Sequence, residues 1–167
     1  MIRVLVAEDS AVTREYLVYL LDRGPGLQVV GTARDGLEAL EQTERLRPDV
    51  VVMDVHMPRM NGYEATRQIM ERVPTPIVMV TASLSRDEAG VAFEAIKAGA
   101  LTVVDKPGGP EHPDRAESAR RLVETVRLMA EVKVVRRWPR RERPIPPAAP
   151  PARPDRKIRL IAIGAST

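Results

Sequence analysis

The first 131 residues alternate between short, unbroken apolar runs and longer segments whose apolar residues recur at helical spacing. The apolar runs predict strands over residues 2–7, 27–33, 49–53, 76–80 and 101–104. The segments with helical spacing are residues 13–21, 36–46, 63–72, 86–98 and 115–132. Strands that are apolar throughout are typical of a sheet buried on both faces. The pattern therefore predicts an α/β fold, a doubly wound five-stranded parallel sheet with helices on both sides.

Five polar residues follow these apolar runs where the strands end. Glu8 and Asp9 come after the first run, Asp54 after the third, Thr81 after the fourth and Lys106 after the fifth. The carboxyl ends of parallel strands lie at one edge of the sheet, which is where ligands bind in this class of fold. We therefore expect the five side chains to lie close together.

The charges of this set indicate its chemistry. Glu8, Asp9 and Asp54 would repel one another, and Mg²⁺ relieves such repulsion because its ligands are carboxylate, water and phosphate oxygens. Asp54 follows the central strand and is the natural nucleophile for forming an aspartyl phosphate. Lys106 can neutralise a phosphoryl oxygen as a compact cation, and the Thr81 hydroxyl can donate a hydrogen bond to another.

Each of these residues alone has an ordinary structural explanation. An acidic pair after a strand often forms the first turn of a helix, Asp54 and Thr81 could be caps, and an isolated lysine is usually solvated. The combination of all five at strand ends favours the functional interpretation. Pro107, directly after Lys106, suggests a cis peptide bond, because cis bonds are essentially confined to the bond before a proline.

Four motifs carry a resemblance to a known family: VLVAEDS, VVMDVHMPRMNGYE, PIVMVTAS and VVDKP. Through them, residues 1–131 resemble the response-regulator receiver domain, whose flavodoxin-like sheet has the strand order 2-1-3-4-5. The resemblance implies that Asp54 is the phosphoacceptor and that a histidine kinase supplies the phosphoryl group. It also implies a Mg²⁺ site, a switch hydroxyl and a phosphate-binding lysine. The residues are Glu8, Asp9, Asp54 and the backbone carbonyl of His56 for the metal, Thr81 for the switch, and Lys106.

The sequence departs from the family at one position. Receivers usually have an aromatic residue three positions before the lysine, and their switch couples the threonine hydroxyl to rotation of that ring. Val103 stands at this position. Because valine has no ring to rotate, we expect the phosphorylation chemistry to be retained and the output mechanism to differ.

Composition separates residues 132–157 from what precedes them. This segment holds nine Lys or Arg, two acidic residues and seven of the chain's 15 prolines, a net charge of +7, whereas residues 1–131 carry −5. It predicts an extended basic linker. Arginines around Trp138 could contact nucleic-acid phosphates, but no helix-turn-helix or other binding module follows. We therefore do not expect a nucleic-acid partner.

The chain shows no sign of export or of membrane insertion. It has no cysteine, no signal-peptide pattern, and no apolar stretch approaching the ~20 residues of a transmembrane helix. These features lead us to expect a cytoplasmic protein.

Residues 158–167 predict the first strand and turn of a second domain. The order of receiver, linker and IAIGAST resembles the chemotaxis protein-glutamate methylesterase family (CheB-type). This resemblance implies that Ser166 is the nucleophile of a Ser-His-Asp triad whose other members would lie beyond Thr167. The chain by itself would then have receiver phosphotransfer chemistry only. A glycine-containing turn after a strand could instead begin a nucleotide-binding loop.

Two functional hypotheses follow. In the first, the receiver is phosphorylated on Asp54 and regulates a tethered methylesterase and glutaminase that acts on chemoreceptors. In the second, a stand-alone receiver is a phosphate sink or a protein-interaction module.

Overall fold

The computed structural model describes residues 1–82, 88–108 and 113–135 of the 167-residue chain. Strands and helices alternate along it, as the sequence predicts. The strands are β1 (Ile2–Ala7), β2 (Leu27–Ala33), β3 (Val50–Asp54), β4 (Ile77–Thr81) and β5 (Thr102–Asp105). The helices are α1 (Ala11–Asp22), α2 (Gly36–Leu46), α3 (Gly62–Arg72), α4 (Glu88–Ala98) and α5 (Arg115–Ala130).

The five strands form one parallel sheet in the order β2-β1-β3-β4-β5. The predicted fold class and strand order are confirmed. Strand order reverses between β1 and β3, so the crevice beyond their carboxyl ends is the expected position for a ligand in this topology.

The two faces of the sheet explain why the central strands are apolar up to their last residues. Val51 and Met53 of β3 belong to a core cluster that includes residues of α2, α3 and α4. Val50 and Val52 belong to a second cluster, which includes residues of α1 and α5. Every residue of β3 is buried, because helices cover the sheet on both sides.

The structure moves the predicted ends of three strands by one residue, from 53 to 54, from 80 to 81 and from 104 to 105. Asp54 and Thr81 are the last residues of β3 and β4, and do not follow them. The parallel ladder continues through both residues, pairing Asp54 with Val80 and Thr81 with Asp105. A polar side chain does not end a strand whose backbone groups still have partners on the neighbouring strand.

The first helices begin where side chains cap them. Ser10, Asp35 and Asn61 each accept a hydrogen bond from a backbone N–H in the first turn. Asn61 and Glu64 form a reciprocal capping box. The Ser10 cap places the start of α1 at Ala11 rather than at the predicted residue 13.

The last predicted segments lie largely outside the described residues. Helix α5 ends at Ala130, and residues 132–135 have neither helix nor strand. The rest of the predicted linker, the strand over residues 158–163 and Ser166 are not among the described residues, and neither is residue 86, the predicted start of the fourth helix. Within the described ranges, no helix is both long and apolar enough to span a bilayer.

Candidate phosphoryl-acceptor and metal site

Three carboxylates meet at the carboxyl ends of β1 and β3. Ligand atoms of Glu8, Asp9 and Asp54 all lie within 4.8 Å of one another. Glu8 is fully buried and Asp54 is 2% exposed, whereas Asp9 is exposed. The sheet therefore brings together the acidic residues that the sequence predicted, with one of them open to solvent.

Lys106 links the two buried carboxylates. Its Nζ atom lies 2.8 Å from Glu8 Oε2 and 2.9 Å from Asp54 Oδ2. The Lys106 backbone N–H donates to the Thr81 carbonyl at 2.9 Å, which fixes the start of the side chain beside the end of β4. The predicted lysine is thus at the acidic cluster, and it offsets part of the negative charge there.

Burial and charge shift the protonation of this cluster. Burial raises the pKa of the Glu8 carboxyl, and the charge of Asp54 adds to the rise, although the Lys106 ammonium opposes it. Burial also acts to lower the pKa of Lys106, but the hydrogen bonds to Glu8 and Asp54 outweigh this effect and raise it. Lys106 therefore stays protonated.

The two carboxylate oxygens of Asp54 differ in their contacts. Oδ2 contacts Lys106, while Oδ1 is buried and has no hydrogen-bond partner among the described residues. A buried acceptor without a partner typically costs about 1–3 kcal/mol, so such atoms are often explained by an ion or a substrate. Oxygen ligands of this charge fit Mg²⁺, which could be held by Glu8, Asp9 and Asp54.

A tight loop carries Asp54 into α3. The Gly62 N–H donates to the Val55 carbonyl at 3.0 Å and closes the loop at its base. A β-carbon on Gly62 would lie 2.1 Å from the Asp54 carbonyl oxygen, so only glycine fits here. The His56 side chain is exposed within this loop, and the assignment of its backbone carbonyl to the metal stays a prediction.

Comparison with known proteins assigns the family. Residues 4–115 match the family described as the response regulator receiver domain. The chain belongs to the response-regulator receiver family. It is 41% identical to the response regulator domain of Thermotoga maritima CheB, with a TM-score of 0.71. The match includes 80% of this chain and 98% of the Thermotoga chain.

Two further matches are to a relative about twice as long as this chain and to the structure of a complex. The chain is 50% identical over 169 residues to protein-glutamate methylesterase/protein-glutamine glutaminase 4 of Geobacter metallireducens, a match that takes in 100% of this chain and 49% of the relative. The chain therefore spans about half the length of this curated relative. A structure of the P1 domain of CheA3 in complex with CheY6 from R. sphaeroides matches with a TM-score of 0.66 and 26% identity, over 78% of this chain and 98% of that one.

Thr81 and Val103, which the family resemblance assigns to the switch, lie on the neighbouring strands β4 and β5. Thr81 is fully buried at the end of β4. Val103 is half-buried on β5 and packs against the core cluster on the side of α4, as does Val91. The predicted cis bond before Pro107 is wrong, because no described peptide bond is cis. The trans form is favoured even before proline, and Lys106 is held by its ion pairs.

Sequence reasoning missed the residues that support the site of this receiver. Arg14 of α1 donates through Nη1 to the carbonyl oxygens of Glu8 (2.7 Å) and Asp9 (3.2 Å), which holds the acidic loop against the helix. Asp35, far from the site in sequence, contacts Arg59 in the loop after β3. An arginine one turn into a helix carries no sequence signal for such a role, and the Asp35–Arg59 contact spans 24 positions.

Proposed function

We propose that this chain is the receiver half of a chemotaxis protein-glutamate methylesterase and glutaminase, and that it takes a phosphoryl group onto Asp54 with the help of Mg²⁺. The observation that carries the proposal is the Asp54 carboxylate, which is buried among like charges with Oδ1 unpaired. A carboxylate oxygen without a hydrogen-bond partner has a lone pair available for attack on phosphorus.

Asp54 and the residues around it have different roles in the proposed phosphoryl transfer. Asp54 Oδ1 forms the new bond to phosphorus, and the bond from phosphorus to the donor's leaving atom breaks. Mg²⁺, held by Glu8, Asp9, Asp54 and the His56 carbonyl, would supply positive charge against the phosphoryl oxygens. The Lys106 ammonium already lies 2.9 Å from Asp54 Oδ2 and is positioned to neutralise a further oxygen of the product.

The donor is a histidine kinase in this proposal. In the comparison structure, the P1 domain of CheA3 is in complex with CheY6. A kinase phosphohistidine would reach Asp54 through the open side of the cluster, where Asp9 is exposed. We propose a cytoplasmic location for the same reason, because the protein would have to meet such a kinase there.

The downstream activity is proposed from the relatives. The match to the Geobacter methylesterase/glutaminase includes the whole of this chain, so it extends over the linker and the residues around Ser166. That extent favours a tethered methylesterase over a stand-alone receiver. Ser166 would be its nucleophile and chemoreceptor glutamyl side chains its substrates, with phosphorylation of Asp54 relieving inhibition by the receiver.

Phosphorylation of the purified chain tests the assignment of Asp54. Wild-type protein incubated with acetyl phosphate and Mg²⁺ should gain one phosphoryl group in intact mass spectrometry, and Asp54→Asn should gain none. Asp105→Asn is the matched control, since Asp105 also ends a strand at this edge but lies outside the acidic cluster. Labelling of Asp54→Asn at the wild-type level would show that the acceptor is another residue.

A further inference from the structure

The loop between β3 and α3 is attached at its tip as well as at its base. At the tip, the Gly36 N–H at the start of α2 donates to the Met60 carbonyl at 3.1 Å. A β-carbon on Gly36 would lie 2.4 Å from that oxygen, so the close approach depends on glycine. The Arg59 guanidinium, one residue away, contacts the carboxylate of Asp35. The amino end of α2 thus holds the loop that follows the phosphoacceptor.

Arg59 adopts a backbone conformation that needs support. Its φ is +63°, and the Met60 N–H donates to the Pro58 carbonyl at 2.7 Å across it. A three-residue turn of this kind, with a positive φ at its centre, is the rare and strained form of the γ-turn. Such backbone strain persists only where surrounding contacts stabilise it.

The ion pair between Asp35 and Arg59 can offset this strain. The Asp35 side chain is 2% exposed, and one oxygen caps α2 by accepting from the Glu38 N–H at 3.0 Å. The other oxygen faces Arg59. Burial works against the charged form, but the Glu38 N–H and the Arg59 guanidinium outweigh it and hold the pKa of Asp35 below its ordinary value. Asp35 is therefore a fixed anion that binds the tip of the loop.

We propose that the Asp35–Arg59 ion pair positions the loop after Asp54 and thereby sets the affinity of this receiver for Mg²⁺. The inference rests on the proposed function, in which the His56 carbonyl is a metal ligand. His56 lies between the closed base of the loop at Val55 and its attached tip at Arg59. Both residues of the pair are positioning residues, because neither belongs to the acidic cluster itself.

Two variants remove the ion pair with little other change. Asp35→Asn keeps an oxygen that can cap α2, since asparagine and aspartate are equally good N-caps. Arg59→Asn keeps a residue that tolerates positive φ. Partners that contact metal ligands directly are typically worth about 10–100-fold in affinity. For this more remote pair, we expect each variant to weaken Mg²⁺ binding by about three- to tenfold, and the double variant by no more than either.

Mg²⁺ titration of the ¹⁵N-labelled full chain, followed by amide chemical shifts, measures the affinity without any phosphoryl transfer. Arg59→Lys retains a cation for Asp35 and should stay within about twofold of wild type. Arg34→Gln is the matched control, because it breaks the ion pair between the exposed Arg34 and Glu38 of α2 and should leave the affinity unchanged.

A parallel assay separates positioning from general stability. The rate of phosphorylation from acetyl phosphate should need more Mg²⁺ to reach half its maximum in Asp35→Asn, while its maximum at saturating Mg²⁺ stays within about twofold. If the folded variants bind Mg²⁺ as tightly as wild type, the pair only stabilises α2 and the inference is wrong. If wild type itself shows no saturable Mg²⁺ shift, the proposed function fails first.

Discussion

The lysine between the two buried carboxylates allows a quantitative prediction. In Lys106→Met the apolar part of the side chain is kept, but the ammonium that lies 2.8 Å from Glu8 and 2.9 Å from Asp54 is lost. Both carboxylates are almost completely buried. The variant therefore has two buried acids without a cation, in the absence of metal.

Two considerations set the expected loss of stability in Lys106→Met. Removing one partner of a buried ion pair typically costs about 3–5 kcal/mol. Protonation limits the contribution of Glu8, because neutralising a carboxyl of ordinary pKa 4.5 at pH 7 costs about 3.4 kcal/mol, at 1.36 kcal/mol per pKa unit. Lys106 is itself 18% exposed, so water can reach the gap. We expect the free energy of unfolding to fall by about 3 kcal/mol.

Urea unfolding followed by circular dichroism, with EDTA and then with Mg²⁺, provides the assay. Mg²⁺ should bind the variant more tightly than wild type, because the competing ammonium is gone, and should restore much of the lost stability. At ten times its Kd, a bound ion adds about 1.4 kcal/mol. Phosphoryl uptake should nevertheless be slower, so that metal affinity and reaction rate change in opposite directions.

The control for this experiment is an exposed lysine. Lys97→Met on α4 breaks a pair with Glu94 whose side chains are largely in solvent, and it should change stability by under about 0.5 kcal/mol. A loss of under about 1 kcal/mol for Lys106→Met in EDTA would refute the reasoning, since the carboxylates would then be hydrated rather than dependent on the lysine. Weaker Mg²⁺ binding by the variant would refute it equally.

Three further predictions concern residues around the site. Gly62→Ala places a β-carbon 2.1 Å from the carbonyl oxygen of Asp54 and should lower the free energy of unfolding in urea by about 3 kcal/mol or more. Gly26→Ala, at φ +77° with nothing within 4 Å, should lower it by about 1 kcal/mol. The pKa of Asp35 is lowered by its α2 cap and by Arg59. Its contribution to stability is present above the ordinary pKa of 3.8 and is lost as the pH falls through the lowered value. Acid unfolding of Asp35→Asn should therefore show a shallower dependence on pH below 3.8 than that of wild type. Arg14→Leu removes both hydrogen bonds to the carbonyls of the acidic loop, and amide-shift titration should show about threefold or greater weakening of Mg²⁺ binding.

The fold was predictable because its signals are local. Helices cover both faces of the sheet, so strands such as β3 are buried along their whole length and apolar up to their last residue, and that pattern is visible in the sequence alone. The exact ends of the strands were not predictable in the same way. Asp54 and Thr81 continue the ladder only because Val80 and Asp105 lie opposite them on neighbouring strands.

The candidate site was predictable only in part, for a related reason. Its charged residues lie at strand ends, and parallel topology brings such positions together whatever the intervening sequence. The residues that support them have no such regularity. The Asp35–Arg59 pair depends on the close packing of Gly36 against Met60, a three-dimensional fit that periodicity and motifs do not report.

The valine at position 103 restricts how a change at Asp54 can reach the rest of this receiver. A valine side chain has essentially one stiff torsion and no ring to move between buried and exposed positions. Val103 packs against the same core cluster as Val91 of α4, so β5 and α4 are in apolar contact at this level. Thr81 is joined to the lysine by the hydrogen bond from the Lys106 N–H to the Thr81 carbonyl. If Lys106 shifts towards a phosphoryl group, we therefore expect the shift to act on the β4–β5 backbone through this hydrogen bond and on α4 through its packing on β5.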